Sequence, residues 1–206
     1  MEFSVPMALV DFVPVALFAA AAVILQRDLY RRMSKGAFAL FAAGTINVIA
    51  AGALKALYKL LYALNICDFQ ALNHMFFPVQ SIGFLLAGLG VVAMLTHRQS
   101  EERLSAVAAP AVFSGTFVFV ALMILGLGAM DGGLIVLAKK LRKPGAIVLL
   151  ALSFVLCLGM GYLSSKDFGK SSMNWIAEGV NMLGQLFLLL AVIILHKAGL
   201  KEAKES

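Results

Sequence analysis

Residues 173–195 read MNWIAEGVNMLGQLFLLLAVIIL. The run is long enough to cross a bilayer, since roughly 20 helical residues at ~1.5 Å each cover ~30 Å of hydrocarbon. Yet it carries Asn174, Glu178, Asn181 and Gln185. Their steps of four, three and four place all four on one helical face. A polar group left unpartnered in lipid costs several kcal/mol. The stripe is therefore expected to turn inward, toward other helices or a wet cavity. It is the leading candidate for a functional site.

The rest of the chain supplies the bundle. Of its 206 residues 62% are hydrophobic and only 14% charged, against about 25% in ordinary soluble domains. Mean hydropathy is +0.94. The reading is an all-α polytopic membrane protein with six transmembrane helices and no soluble domain. The net charge of +6 sits between apolar runs, which suits loops and lipid headgroups rather than nucleic acid. Cys67 falls in a loop and Cys157 in an apolar run, so neither a disulfide nor a thiolate metal site is expected. Glu2 and the length of the first apolar run argue against a cleaved signal peptide.

Taken in order, helix 1 is expected over Val5–Gln26 and helix 2 from Gly36 to Leu54, with an extension to Leu64. In that extension Lys55 and Lys59 read as snorkelling lysines and Tyr58 and Tyr62 as interfacial anchors. Helix 3 covers Met75–Leu95. Helix 4 covers Ala106–Met130, with a break at Asp131-Gly132-Gly133. Helix 5 covers Gly145–Leu163, and helix 6 is the opening stretch. The polar link His97–Arg103 divides the halves.

Those halves share landmarks. Arg31-Arg32-Met33-Ser34-Lys35-Gly36-Ala37 follows helix 1, and Lys139-Lys140-Leu141-Arg142-Lys143-Pro144-Gly145-Ala146 follows helix 4. Asp68-Phe69 precedes helix 3 and Asp167-Phe168 precedes helix 6. Helices 3 and 6 then align without a gap: Asn73 with Asn174, Gln80 with Asn181, Gly83 with Gly184. The expected domains are 1–96 as a first three-helix repeat, 97–105 as linker, 106–196 as a second repeat and 197–206 as a polar tail. An odd number of helices per repeat makes the second copy inverted, the architecture of many small transporters, with a site where the copies meet. Under strict alternation eight Lys and Arg fall on one side and nine on the other, which leaves the membrane orientation open.

The expected site lies between helices 3 and 6, built from Glu178, Asn181, Gln185, Gln80 and Asn174, with Asn47 of helix 2 as a second-tier member. Intramembrane carboxylates often mark ion or proton pathways, so Glu178 is the titratable member. The plainer alternative is structural: amides act as glue between helices, at about 0.6–2 kcal/mol each. Phe77 and Phe84 occupy the helix 3 positions that match Glu178 and Gln185, so one wall is aromatic. That suits an amphipathic solute better than a bare ion. His74, His97 and His196 all lie at helix ends, which disfavours haem. No cofactor or metal is expected, and HExxH, GxSxG and P-loop patterns are absent from the sequence.

Three functions stay open at this stage. The first is a small transporter or channel for a polar or amphipathic solute or cation. The second is a non-catalytic membrane subunit, such as a substrate-capturing one, whose polar stripe docks a partner. The weakest is an intramembrane lipid-modifying enzyme using Asp11, Asp131 or Glu178, which needs two such groups within hydrogen-bond reach. The expected partners are the lipid bilayer, a small solute or ion, and a second copy or partner subunit. The expected location is a bacterial or archaeal cell membrane.

Overall fold

The computed structural model describes residues 4–96, 116–163 and 171–202, and every regular element among them is helical. Ser4 caps α1 (Val5–Val10), accepting from Met7 N at 3.4 Å. Asp11 separates α1 from α2 (Phe12–Leu29), so helix 1 of the sequence reading is two pieces. Ser34 caps α3 (Lys35–Ala63), which includes the extension past Leu54. A short α4 (Gln70–His74) precedes α5 (Phe76–Thr96). Then come α6 (Thr116–Lys140), α7 (Pro144–Leu163) and α8 (Ser171–Lys197). Helix α6 runs unbroken through Asp131-Gly132-Gly133, where an interruption was expected. The expected start of helix 4 at Ala106, the polar link 97–105 and the Asp167-Phe168 landmark lie outside the described residues.

Five segments are long and apolar enough to span a membrane: Val5–Leu29, Lys35–Ala63, Gln70–Thr96, Val118–Lys140 and Ser172–Lys197. The 20-residue α7 is apolar throughout and stands beside them. This is an all-helical integral membrane architecture.

Small residues set the packing. Gly44 of α3 meets the backbone of Gly83 and Ala87 on α5, and Gly90 meets Ala37 and Phe41. The two helices are thus antiparallel, with their backbones in close approach. The α5–α6 contact is of the opposite sense. Ser81 Oγ donates to the Phe119 carbonyl at 2.7 Å, Gly126 lies against Phe84 and Leu85, and Gly133 against Val91 and Leu95. Residue numbers rise together, so α5 and α6 run parallel. Gly126 has no room for a side chain, because a Cβ there would collide with the backbone of Phe84 and Leu85. Gly126→Val is expected to lower stability by about 1–3 kcal/mol, read as earlier thermal unfolding in detergent.

The parallel pair corrects the inverted-repeat expectation. Helices α2, α3 and α5 cross the bundle in the same three senses as α6, α7 and α8. The second set runs in the same senses as the first and is not inverted, because the described end of α5 and the described start of α6 lie at opposite ends of the bundle. Gly83 packs α5 on α3, and its aligned residue Gly184 packs α8 on Ser153, Leu156 and Cys157 of α7.

One end of the bundle is closed and basic. Leu25, Leu29, Leu134, Leu137, Leu150 and Leu195 are all buried there. Asp28, itself buried, pairs with His196 Nδ1 at 2.9 Å, and Arg32 donates to the Leu200 carbonyl at 3.0 Å. Arg142 adopts φ 55, a left-handed cap that turns α6 sharply into α7. The opposite end holds Asp11, Lys55, Lys59 and the start of α8, and the described residues do not close it.

Candidate functional site

A cavity of about 340 Å³ enters the bundle from that second end. Its walls come from α2, α3, α5, α6, α7 and α8. On α8 it extends from Asn174 to Gln185, about 16 Å at ~1.5 Å per residue. It stops where the closed leucine core begins.

The polar stripe turns inward. Asn174, Glu178, Asn181 and Gln185 all line the cavity, and Gln80 faces it from α5. Asn174 and Glu178 are each 8% exposed. Apolar Ile176, Leu183 and Leu190 occupy the outer face of the same helix. Asn47 does not belong: it is half-buried on α3 but off the cavity wall. Its neighbour Thr45 is the buried polar group of that turn, accepting from Gln26 Nε2 at 2.7 Å and donating to a carbonyl of its own helix. Asp131 is also off the cavity, buried within α6 with neither carboxylate oxygen hydrogen-bonded among the described residues.

Three charged residues join the site that the stripe alone did not identify. Asp11, at the α1–α2 junction, is buried and ion-paired with Lys59 of α3. Lys55, one turn earlier on α3, lies 3.9 Å from the centroid of the Phe76 ring and 6.0 Å from that of Phe77. The lysines therefore do not snorkel to headgroups. They continue the inward face of α3, on which Gly44, Val48 and Gly52 pack against α5 and α2. That continuity at helical spacing was the available signal.

Close packing of α2 on α8 brings the carboxyls of Asp11 and Glu178 within hydrogen-bonding reach of each other. No other group among the described residues donates to Asp11 Oδ1 or Glu178 Oε1, nor to Gln185 Oε1 deeper in the cavity. Gln185 directs its amide nitrogen toward Cys157 Sγ at 4.0 Å. Lys55 has no carboxylate in ion-pair range among the described residues; its contact is aromatic. Beyond the charged mouth the lining becomes apolar, with Phe18, Phe84, Met123, Leu127 and Met160. Phe18 and Phe84 meet edge to face at 5.8 Å.

The described residues offer acceptors, a cation with no carboxylate in ion-pair range among them and an apolar floor within one space. No group of three or more His, Cys, Asp or Glu among the described residues is placed to hold a metal ion. Compared with known proteins, the chain matches no family model, no curated protein and no solved structure.

Proposed function

We propose that the protein is a small membrane transporter that captures an amphipathic solute in this cavity and moves it across the bilayer. One observation carries the reading: charged and amide side chains from α2, α3, α5 and α8 converge on open space within a membrane bundle. Charges at such depth are expensive and characteristically line substrate or ion pathways. Had the stripe been helix glue, its polar atoms would meet one another across a dry seam. Instead three acceptor oxygens around the cavity meet no donor among the described residues. The volume lies near the low end of the about 300–1,000 Å³ typical of small-molecule sites, and is too small for a whole diacyl lipid. Glu178 and Asp11 form the acidic wall, Lys55 the basic one, and the phenylalanines and methionines take the apolar body.

The parallel α5–α6 pair supports a direction for the cavity. Arg27, Arg31, Arg32, Lys35, Lys139, Lys140, Arg142, Lys143, Lys197 and Lys201 gather at the closed end. At the open end the described cations are Lys55 and Lys59, both engaged with the cavity. By the positive-inside rule this bias supports a cytoplasmic closed end and an outward-facing cavity mouth. Cys67 is exposed at the mouth end. In a Cys157→Ala variant expressed in intact cells, a membrane-impermeant maleimide is expected to label Cys67 without lysis. Labelling only after lysis contradicts this orientation.

The transport reading is tested with proteoliposomes incubated in a mixed extract of small metabolites, washed and analysed by mass spectrometry. At least one solute should accumulate with the native protein and not with Glu178→Gln. Identical profiles for native protein, variant and empty liposomes would overturn it.

A further inference from the structure

Building on that reading, we infer that the solute is a compact zwitterion with an apolar side chain, an α-amino acid with a hydrocarbon or aromatic group. The argument starts from which partners are missing. Asp11 and Glu178 line the same cavity within hydrogen-bonding reach of each other, and no other donor among the described residues meets Asp11 Oδ1 or Glu178 Oε1. A ligand ammonium there donates to both, and such charge-assisted hydrogen bonds are about twice as strong as neutral ones. One acid already has a countercharge, since Lys59 pairs with Asp11. Glu178 has no ion-pair partner within range among the described residues. A cationic group on the ligand supplies it.

Lys55 poses the complementary vacancy. Its ammonium stands over the Phe76 ring and has no carboxylate within ion-pair range among the described residues. The ring face holds the cation in place but does not neutralise it. A carboxylate on the ligand does. Lys55 also senses both Asp11 and Glu178 electrostatically, and all three line the one cavity. An ammonium and a carboxylate borne on one carbon answer both within a single compact head. Past this head, Phe18, Phe84, Met123 and Leu127 form an apolar chamber that ends at the closed core. A single hydrocarbon side chain fills such a space, and methionines adapt to its shape.

A plain amine leaves Lys55 unanswered, and a plain carboxylic acid leaves the two acids unanswered. This difference makes the inference testable without altering the protein. Purified protein in nanodiscs is titrated with L-phenylalanine, phenethylamine and 3-phenylpropionate, with thermal unfolding as readout; L-leucine tests tolerance of the side chain. L-Phenylalanine should raise the unfolding temperature in a saturable way, and each single-charge analogue should bind at least ~10-fold more weakly. Phenethylamine binding as tightly as the amino acid would overturn the zwitterion in favour of an amine. 3-Phenylpropionate binding as tightly would overturn it in favour of an anion. If none binds while a solute of the mixed extract still accumulates in proteoliposomes, the substrate class fails and the transport reading stands. If neither binding nor accumulation occurs, both fail.

Discussion

Asp11→Ala is expected to be the most destabilising single change at the site, by about 3 kcal/mol, and to abolish accumulation of solute. Its partner Lys59 is only 12% exposed, and Asp11 only 6%. Removing one member of a buried ion pair typically costs about 3–5 kcal/mol, because the other charge is left uncompensated. The lower end applies here for two reasons. Lys59 lies beside the cavity mouth, and Glu178 is close enough to offset part of its charge. Asp11 also sits where α1 ends and α2 begins, so the pair fixes the angle at which the chain enters the bundle. The double variant Asp11→Ala/Lys59→Met separates the two roles. It should recover most of the stability, since no charge is stranded, but not solute accumulation. Unfolding in detergent provides the first quantity and proteoliposome uptake the second. A single variant within about 0.5 kcal/mol of the native protein would show that the pair contributes little.

Glu178→Gln is expected to leave the fold intact and reduce solute uptake at least ~30-fold. Glutamine keeps the length of the side chain and its capacity to hydrogen-bond, and it removes only the charge. Truncating one partner of a desolvated charge pair costs roughly 2–5 kcal/mol of binding, and each 1.4 kcal/mol is about tenfold. Asn181→Ala and Gln185→Ala serve as graded controls. A neutral hydrogen bond is worth about 1 kcal/mol, so each should cost only ~5-fold. If Glu178→Gln resembles these amide variants, charge is not what the site recognises.

The fold class was plain from composition and from the length of the apolar runs. So was the inward turn of the last helix, because period and polarity agree there: Asn174, Glu178, Asn181 and Gln185 repeat at helical spacing while Ile176, Leu183 and Leu190 do not share their face. The sense of the second half was not legible. Counting helices assumes that each described helix reverses the last, whereas the direction of α6 is set by tertiary contacts such as Ser81 with Phe119 and Gly133 with Val91. That one reversal also explains the absent charge bias. Two basic turns assigned to opposite sides by alternation in fact lie at the same end.

Lysines near a helix end carry a second ambiguity. Lys55 and Lys59 have the spacing and neighbours of interfacial residues, and Asp11, distant in sequence, draws Lys59 inward. Local pattern cannot supply a partner 48 positions away in the chain. Asn47 illustrates the converse. A lone amide in an apolar run attracts attention, yet the buried polar contact of that turn belongs to Thr45, whose hydroxyl satisfies itself on its own helix.

The central claim is that the polar face of α8 borders water-accessible space while its opposite face meets lipid. Single cysteines at positions 176, 178, 181, 183 and 185, in a protein lacking Cys67 and Cys157, measure this through reaction with a small water-soluble thiol reagent in proteoliposomes. Reaction at 178, 181 and 185, with protection at 176 and 183, is the predicted pattern. Reaction at 176 and 183 with silence at 178, 181 and 185 would contradict the account.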